Sequence, residues 1–125
     1  MQQKALQYYR QGWNCSQCIL KAAEQEYKVP ISKQSLTLCT GITTGFGMGG
    51  FCAVLIAGIM VFGLLFDEAT AKAMRLQFLM EFKDKYGSHN CCDLIKRRDN
   101  TSQKCEALIC ETAEMIDKLV KQKYD

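Results

Sequence analysis

Apolar side chains recur at three- and four-residue intervals along most of this chain, and no stretch alternates as a half-buried strand would. Ala5, Leu6, Tyr9 and Trp13 mark a first helix that Gly12 interrupts, and Asn14 is placed to cap a second over residues 15 to about 27. On that second helix Cys15, Cys18, Ile19 and Ala22 share a face. Val29 and Pro30 end it, because proline lacks an amide hydrogen and disfavours helical geometry in the residue before it. Ser32 can cap a short helix through Cys39. Further on, Asp67 caps a helix whose Ala71, Met74, Phe78, Phe82 and Tyr86 form one core stripe, and Gly87 stops it. Residues 88–100 read as loop with at most one helical turn through Leu94 and Ile95. From Thr101, the set Cys105, Leu108, Ile109, Thr112, Met115, Ile116 and Leu119 makes an amphipathic last helix, with lysines near its end as the macrodipole favours.

The middle departs from this pattern. Residues 34–66 carry no charge, and 51–66 are apolar on every face. A membrane span needs about 20 apolar residues, and the glycines at 41, 45, 47, 49 and 50 leave only about 16 uninterrupted. A buried central helix fits better, with Ala53, Ala57, Gly58 and Gly63 allowing neighbours to approach closely. The expected fold is therefore all-α: a compact bundle of five or six helices around a central apolar helix, forming one domain over residues 1–125.

Charge narrows the function classes. A net charge of +3 with only one basic cluster, Lys96, Arg97 and Arg98, is a thin footprint for nucleic acid, so no nucleic-acid partner is expected. Residues 1–5 hold no basic segment leading into an apolar stretch, so a cytoplasmic location is expected, and the membrane is not. In a reducing compartment the 8 cysteines point to metal binding or redox work more than to structural disulfides.

Cys15 and Cys18, two residues apart at a helix start, could point the same way, and exposed amide hydrogens there would favour a Cys15 thiolate. The competing reading is two small buried residues, since free cysteine packs as a hydrophobe. Cys52 follows a glycine-rich approach, residues 45–50, which lacks the lysine and hydroxyl of a P-loop. Cys39 lies among threonines and reads mainly as packing. Cys91 and Cys92 are adjacent, so one metal would take only one of them, and Cys110 lies about 140° round the helix from Cys105. His89, the sole histidine, reads as a solvated loop residue. No spacing matches a zinc ribbon, so any shared site must be assembled by tertiary folding.

The order of these elements resembles the C_GCAxxG_C_C family of redox-active proteins almost end to end. Gly12-Trp13-Asn14-Cys15-Ser16-Gln17 is similar to its first motif, and residues 45–50 followed by Cys52 are similar to its second. Tyr86-Gly87-Ser88 through Cys91, with Asp93-Leu94-Ile95, resembles the third, and Cys105 before Thr112-Ala113-Glu114 the fourth. The GCAxxG core here reads Phe51-Cys52-Ala53-Val54-Leu55-Ile56, keeping the cysteine and alanine but neither glycine. Cys18, Cys39, Cys92 and Cys110 stand outside the pattern. A related domain in split-Soret cytochromes holds a cysteine-bound iron–sulfur cluster, so the resemblance implies that Cys15, Cys52, Cys91 and Cys105 converge on iron.

Three expectations follow. The first is an electron-transfer module in which those four cysteines bind an iron–sulfur cluster or similar metal and serve a redox partner protein. The second is a metal-free dithiol oxidoreductase with Cys15 as nucleophile and Cys18 as resolving thiol. The third is a structural zinc module that binds a partner. Enzymatic activity is left open by all of these, and a second subunit, as in a homodimer, is allowed for as the cover of the apolar helix.

Overall fold

The computed structural model describes the backbone of residues 1–96 and 101–124, and the side chains of these except residues 95, 96 and 101–105. Among the described residues seven α-helices follow one another: α1 (Gln2–Arg10), α2 (Cys15–Tyr27), α3 (Lys33–Thr37), α4 (Ala53–Leu65), α5 (Glu68–Tyr86), α6 (Cys91–Lys96) and α7 (Thr101–Tyr124). The fold is all-α, and among the described residues the nearest thing to a sheet is one antiparallel bridge between Phe51 and Asn90. The helix count exceeds the five or six expected, because residues 91–96 wind into a helix of their own instead of a single turn.

The helix boundaries follow local chemistry. Asn14 Oδ1 accepts from the amides of Ser16 and Gln17, and the Gln17 side chain returns the bond to the Asn14 amide, a complete capping box. Ser32 accepts from the Ser35 amide and Asp67 from that of Thr70. At the other ends, Lys28 at φ 57° and Gly87 at φ 79° turn the chain out of α2 and α5.

Helix α4 packs against α2, α5 and α7, while α1 lies across α2 and α7. Its Val54, Leu55, Ala57, Val61 and Phe62 are buried, and Phe62 meets Phe78 of α5 edge to face at 5.4 Å. A Cβ at Gly58 would lie 2.8 Å from the Phe78 ring and 2.9 Å from Ile116, so glycine there sets how closely α4, α5 and α7 approach. The helix is not buried on every face, as residues 51–66 suggested: Met60, Gly63 and Leu64 are exposed. Three neighbouring helices pack on it, and among the described residues nothing covers its remaining side toward the C-terminal end. Among the described residues no helix is long and apolar enough to cross a membrane.

Candidate functional site

The first cysteine motif explains itself residue by residue. Asn14 and Gln17 close the capping box, Asn14 Nδ2 reaches the Cys39 carbonyl at 3.4 Å, and Gln17 Nε2 donates to the Leu36 carbonyl at 2.9 Å. Both amide side chains thus tie the start of α2 to α3. The Ser16 hydroxyl donates to Asn14 Oδ1 and is fully buried. Trp13 carries Lys21 Nζ over its ring at 4.5 Å. Cys15, half-buried, stands at the first position of α2.

Cys18 lies one turn on and is fully buried, its Sγ donating to the Cys15 carbonyl at 3.1 Å. Burial pushes its thiol pKa far above the ordinary value, and the nearby Cys15 and Cys110 push the same way. Cys39 is also buried, with Sγ 3.8 Å from the Ser35 carbonyl, and burial raises its pKa against the opposing effect of the Ser16 hydroxyl. Cys39 thus belongs to the neighbourhood of Cys15, a placement that its surroundings in sequence do not signal.

A second group forms around the glycine-rich turn. Gly45 at φ 58° lets the chain fold back until its carbonyl accepts from the Gly50 amide at 2.9 Å; a Cβ at Gly45 would run into Gly50 at 2.3 Å. Phe46 also takes a left-handed conformation, φ 63°, which costs a bulky residue about 1–2 kcal/mol. The returning strand then meets residues 89–91: the Cys52 amide donates to the His89 carbonyl at 2.9 Å, and the Cys91 amide to the Gly50 carbonyl at 2.6 Å. Cys52, buried, takes the cap position of α4, and Cys91, half-buried, is the first residue of α6. Cys92 is exposed, and its Cβ lies 2.8 Å from where a Gly49 Cβ would stand, so glycine at 49 lets the turn rest on α6.

His89 is not the solvated loop residue its setting suggested. Its Nε2 lies 2.7 Å from the Leu79 carbonyl, which can only accept, so Nε2 carries the proton. Its ring also stacks near Phe82 at 6.2 Å and Phe51 at 5.7 Å. The aromatic at 51, where the family motif has glycine, is therefore a packing partner of His89.

The fourth cysteine, Cys105, falls on the second turn of α7 and not at its start; its side chain lies outside the described residues. One residue on, Glu106 accepts from Arg10 Nε at 3.2 Å and holds this part of α7 against α1. Cys110 is half-buried, its Sγ 3.9 Å from the Gln2 carbonyl, and burial followed by the Glu106 carboxylate raises its pKa. Thr112 Oγ1 is buried with no hydrogen-bond partner among the described residues. Among the described residues no group of three or more histidine, cysteine or carboxylate side chains is spaced to hold a single metal ion.

Cysteines positioned by helix starts and by a glycine-rich turn define a thiol-centred helical module. The chain belongs to the family described as "Putative redox-active protein (C_GCAxxG_C_C)", whose model matches residues 13–119. No curated protein and no solved structure matches it.

Proposed function

We propose that this protein is an electron carrier that binds an iron–sulfur cluster through Cys15, Cys52, Cys91 and Cys105 and exchanges electrons with a redox partner protein in the reducing cytoplasm. The four cysteines draw together when the cluster binds, because Cys15, Cys52 and Cys91 do not by themselves form a ligand set among the described residues. The observation that carries the reading is the pair of backbone bonds linking Cys52 to His89 and Cys91 to Gly50. They clamp together two family cysteines that lie far apart in sequence. The glycines at 45 and 49 support it, because side chains there would collide with Gly50 and Cys92 and pry the clamp open.

When bound, such a cluster supplies one-electron transfer at a potential set by its surroundings. The residues of this chain would do the rest. Cys15 and Cys52 sit at the N-terminal ends of α2 and α4, whose partial positive charge would offset the negative charge of a bound cluster. Phe51 beside His89, with the buried start of α4, would restrict water around the sulfurs and tune the potential. The dithiol alternative is less well supported: Cys18 would have to act as a thiolate, yet it is buried, bonded to a carbonyl and displaced toward the protonated form. Anaerobic purification followed by a visible spectrum and analysis for iron, sulfide and zinc tests the reading. Colour with iron and sulfide is the expected result; zinc alone would support a structural site, and colourless metal-free protein would support dithiol chemistry.

A further inference from the structure

Among the described residues, Thr112 carries the one side-chain oxygen that is buried without a hydrogen bond. A threonine inside a helix ordinarily bonds the carbonyl four residues back, here that of Leu108, and the Thr112 hydroxyl makes no such bond. It has given up its bonds to water and received nothing in return, which costs stability. Two contacts show where it lies. A Cβ at Gly58 would stand 2.9 Å from Ile116, and the Phe66 ring meets that of Tyr124 at 5.3 Å. The second contact is eight residues further along both segments than the first, so α4 and α7 run parallel in one register. One turn back, Thr112 comes level with Val54, on the face of α7 that carries Ile116.

Side chains on a helix lean toward its N-terminus, so the Thr112 hydroxyl leans toward the start of α4, where Cys52 holds the cap position. Cys52 makes no side-chain capping bond there, and Cys52, Ala53 and Val54 are all buried. Cys105 stands seven residues before Thr112 on α7, close to two full turns. The orphaned donor thus faces a dry helix start that already holds one of the four cysteines.

We infer that the Thr112 hydroxyl donates a hydrogen bond to a sulfur of the bound cluster and raises the potential at which the cluster accepts an electron. The inference rests on the iron–sulfur reading above and gives it a positioning residue outside the cysteines. A donor at that sulfur favours the form with the added negative charge, which is why the potential rises. Thr112 keeps its proton throughout, and the electron comes from the redox partner protein. Without the cluster the hydroxyl is orphaned; with it the hydroxyl is paired.

Thr112→Val keeps the shape and removes the hydroxyl, whereas Thr112→Ser keeps the hydroxyl. Urea midpoints of the chain stripped of metal by a chelator give the first readout. Thr112→Val should lower the unfolding constant about fivefold at unchanged slope, because the orphan is gone. An equal or lower midpoint means that the hydroxyl has a partner in the folded chain, and would overturn the inference. Redox titration of the anaerobically purified chain, followed by visible absorption, gives the second. Thr112→Val should shift the reduced-to-oxidised ratio at a fixed potential at least tenfold toward oxidised, about 59 mV for one electron, and Thr112→Ser should stay within about twofold of the parent. Loss of iron from a folded Thr112→Val but not from Thr112→Ser would support the donor as well. An unchanged potential in loaded Thr112→Val sinks this inference and leaves the iron–sulfur reading standing, while a parent without iron and sulfide sinks both.

Discussion

At the scale of the residue, several side chains that look chemical in the sequence turn out to be structural. Asn14 is the clearest: one oxygen accepts from Ser16 and Gln17 while the amide reaches Cys39. Asn14→Ala should cost about 1–2 kcal/mol of stability, read as a lower urea midpoint at unchanged slope. A cap is legible in sequence because its partners lie two and three residues away. His89 is not, because its contacts, Leu79, Phe82 and Phe51, come from two other segments that only the fold brings to it. His89→Leu keeps much of the ring's apolar packing but leaves the Leu79 carbonyl without this donor; a loss of about 1–3 kcal/mol is expected in the same measurement. An unchanged midpoint would remove His89 from the support of the clamp.

At the scale of the element, α4 shows what an apolar pattern can and cannot say. Its uncharged run made a central helix legible, but a segment apolar on every face does not reveal which face stays uncovered. The two glycines on it separate the cases. Gly58 lies against Phe78 and Ile116, so Gly58→Ala should overpack the core and destabilise by about 1–3 kcal/mol. Gly63 faces open space, so Gly63→Ala should stabilise by about 0.5–1 kcal/mol through helix propensity. Thermal denaturation of the two variants beside the parent checks the contrast, and shifts of the same sign would contradict this packing. On α5 the core stripe through Met74, Phe78 and Phe82 hid the second stripe through Leu76 and Met80, because both obey helical spacing.

At the scale of the whole molecule, buried thiols tie stability to pH. Burial raises the pKa of Cys18, Cys39 and Cys110 above the ordinary 9.0. Above about pH 9 the unfolded chain releases those protons while the folded chain keeps them, so the unfolded state binds fewer protons and stability falls as pH rises. Below pH 9 these groups are protonated in both states and contribute no slope. Urea midpoints at pH 7, 9 and 10 should therefore be level and then drop, and a midpoint that rises into the alkaline range would contradict this burial. The clamp belongs to this scale as well: it joins residues 50–52 to 89–91 through backbone atoms, which carry no sequence signature.

The central claim is that four of the eight cysteines hold iron and the others do not. It is tested most directly by counting iron and sulfide per chain in anaerobically purified single variants. Cys15→Ser, Cys52→Ser, Cys91→Ser and Cys105→Ser should each lose most of the iron, about tenfold or more, with helix content retained by circular dichroism. Cys92→Ser and Cys110→Ser should keep the parental amount. Equal iron in Cys15→Ser and Cys110→Ser, or none in the parent, would contradict the account.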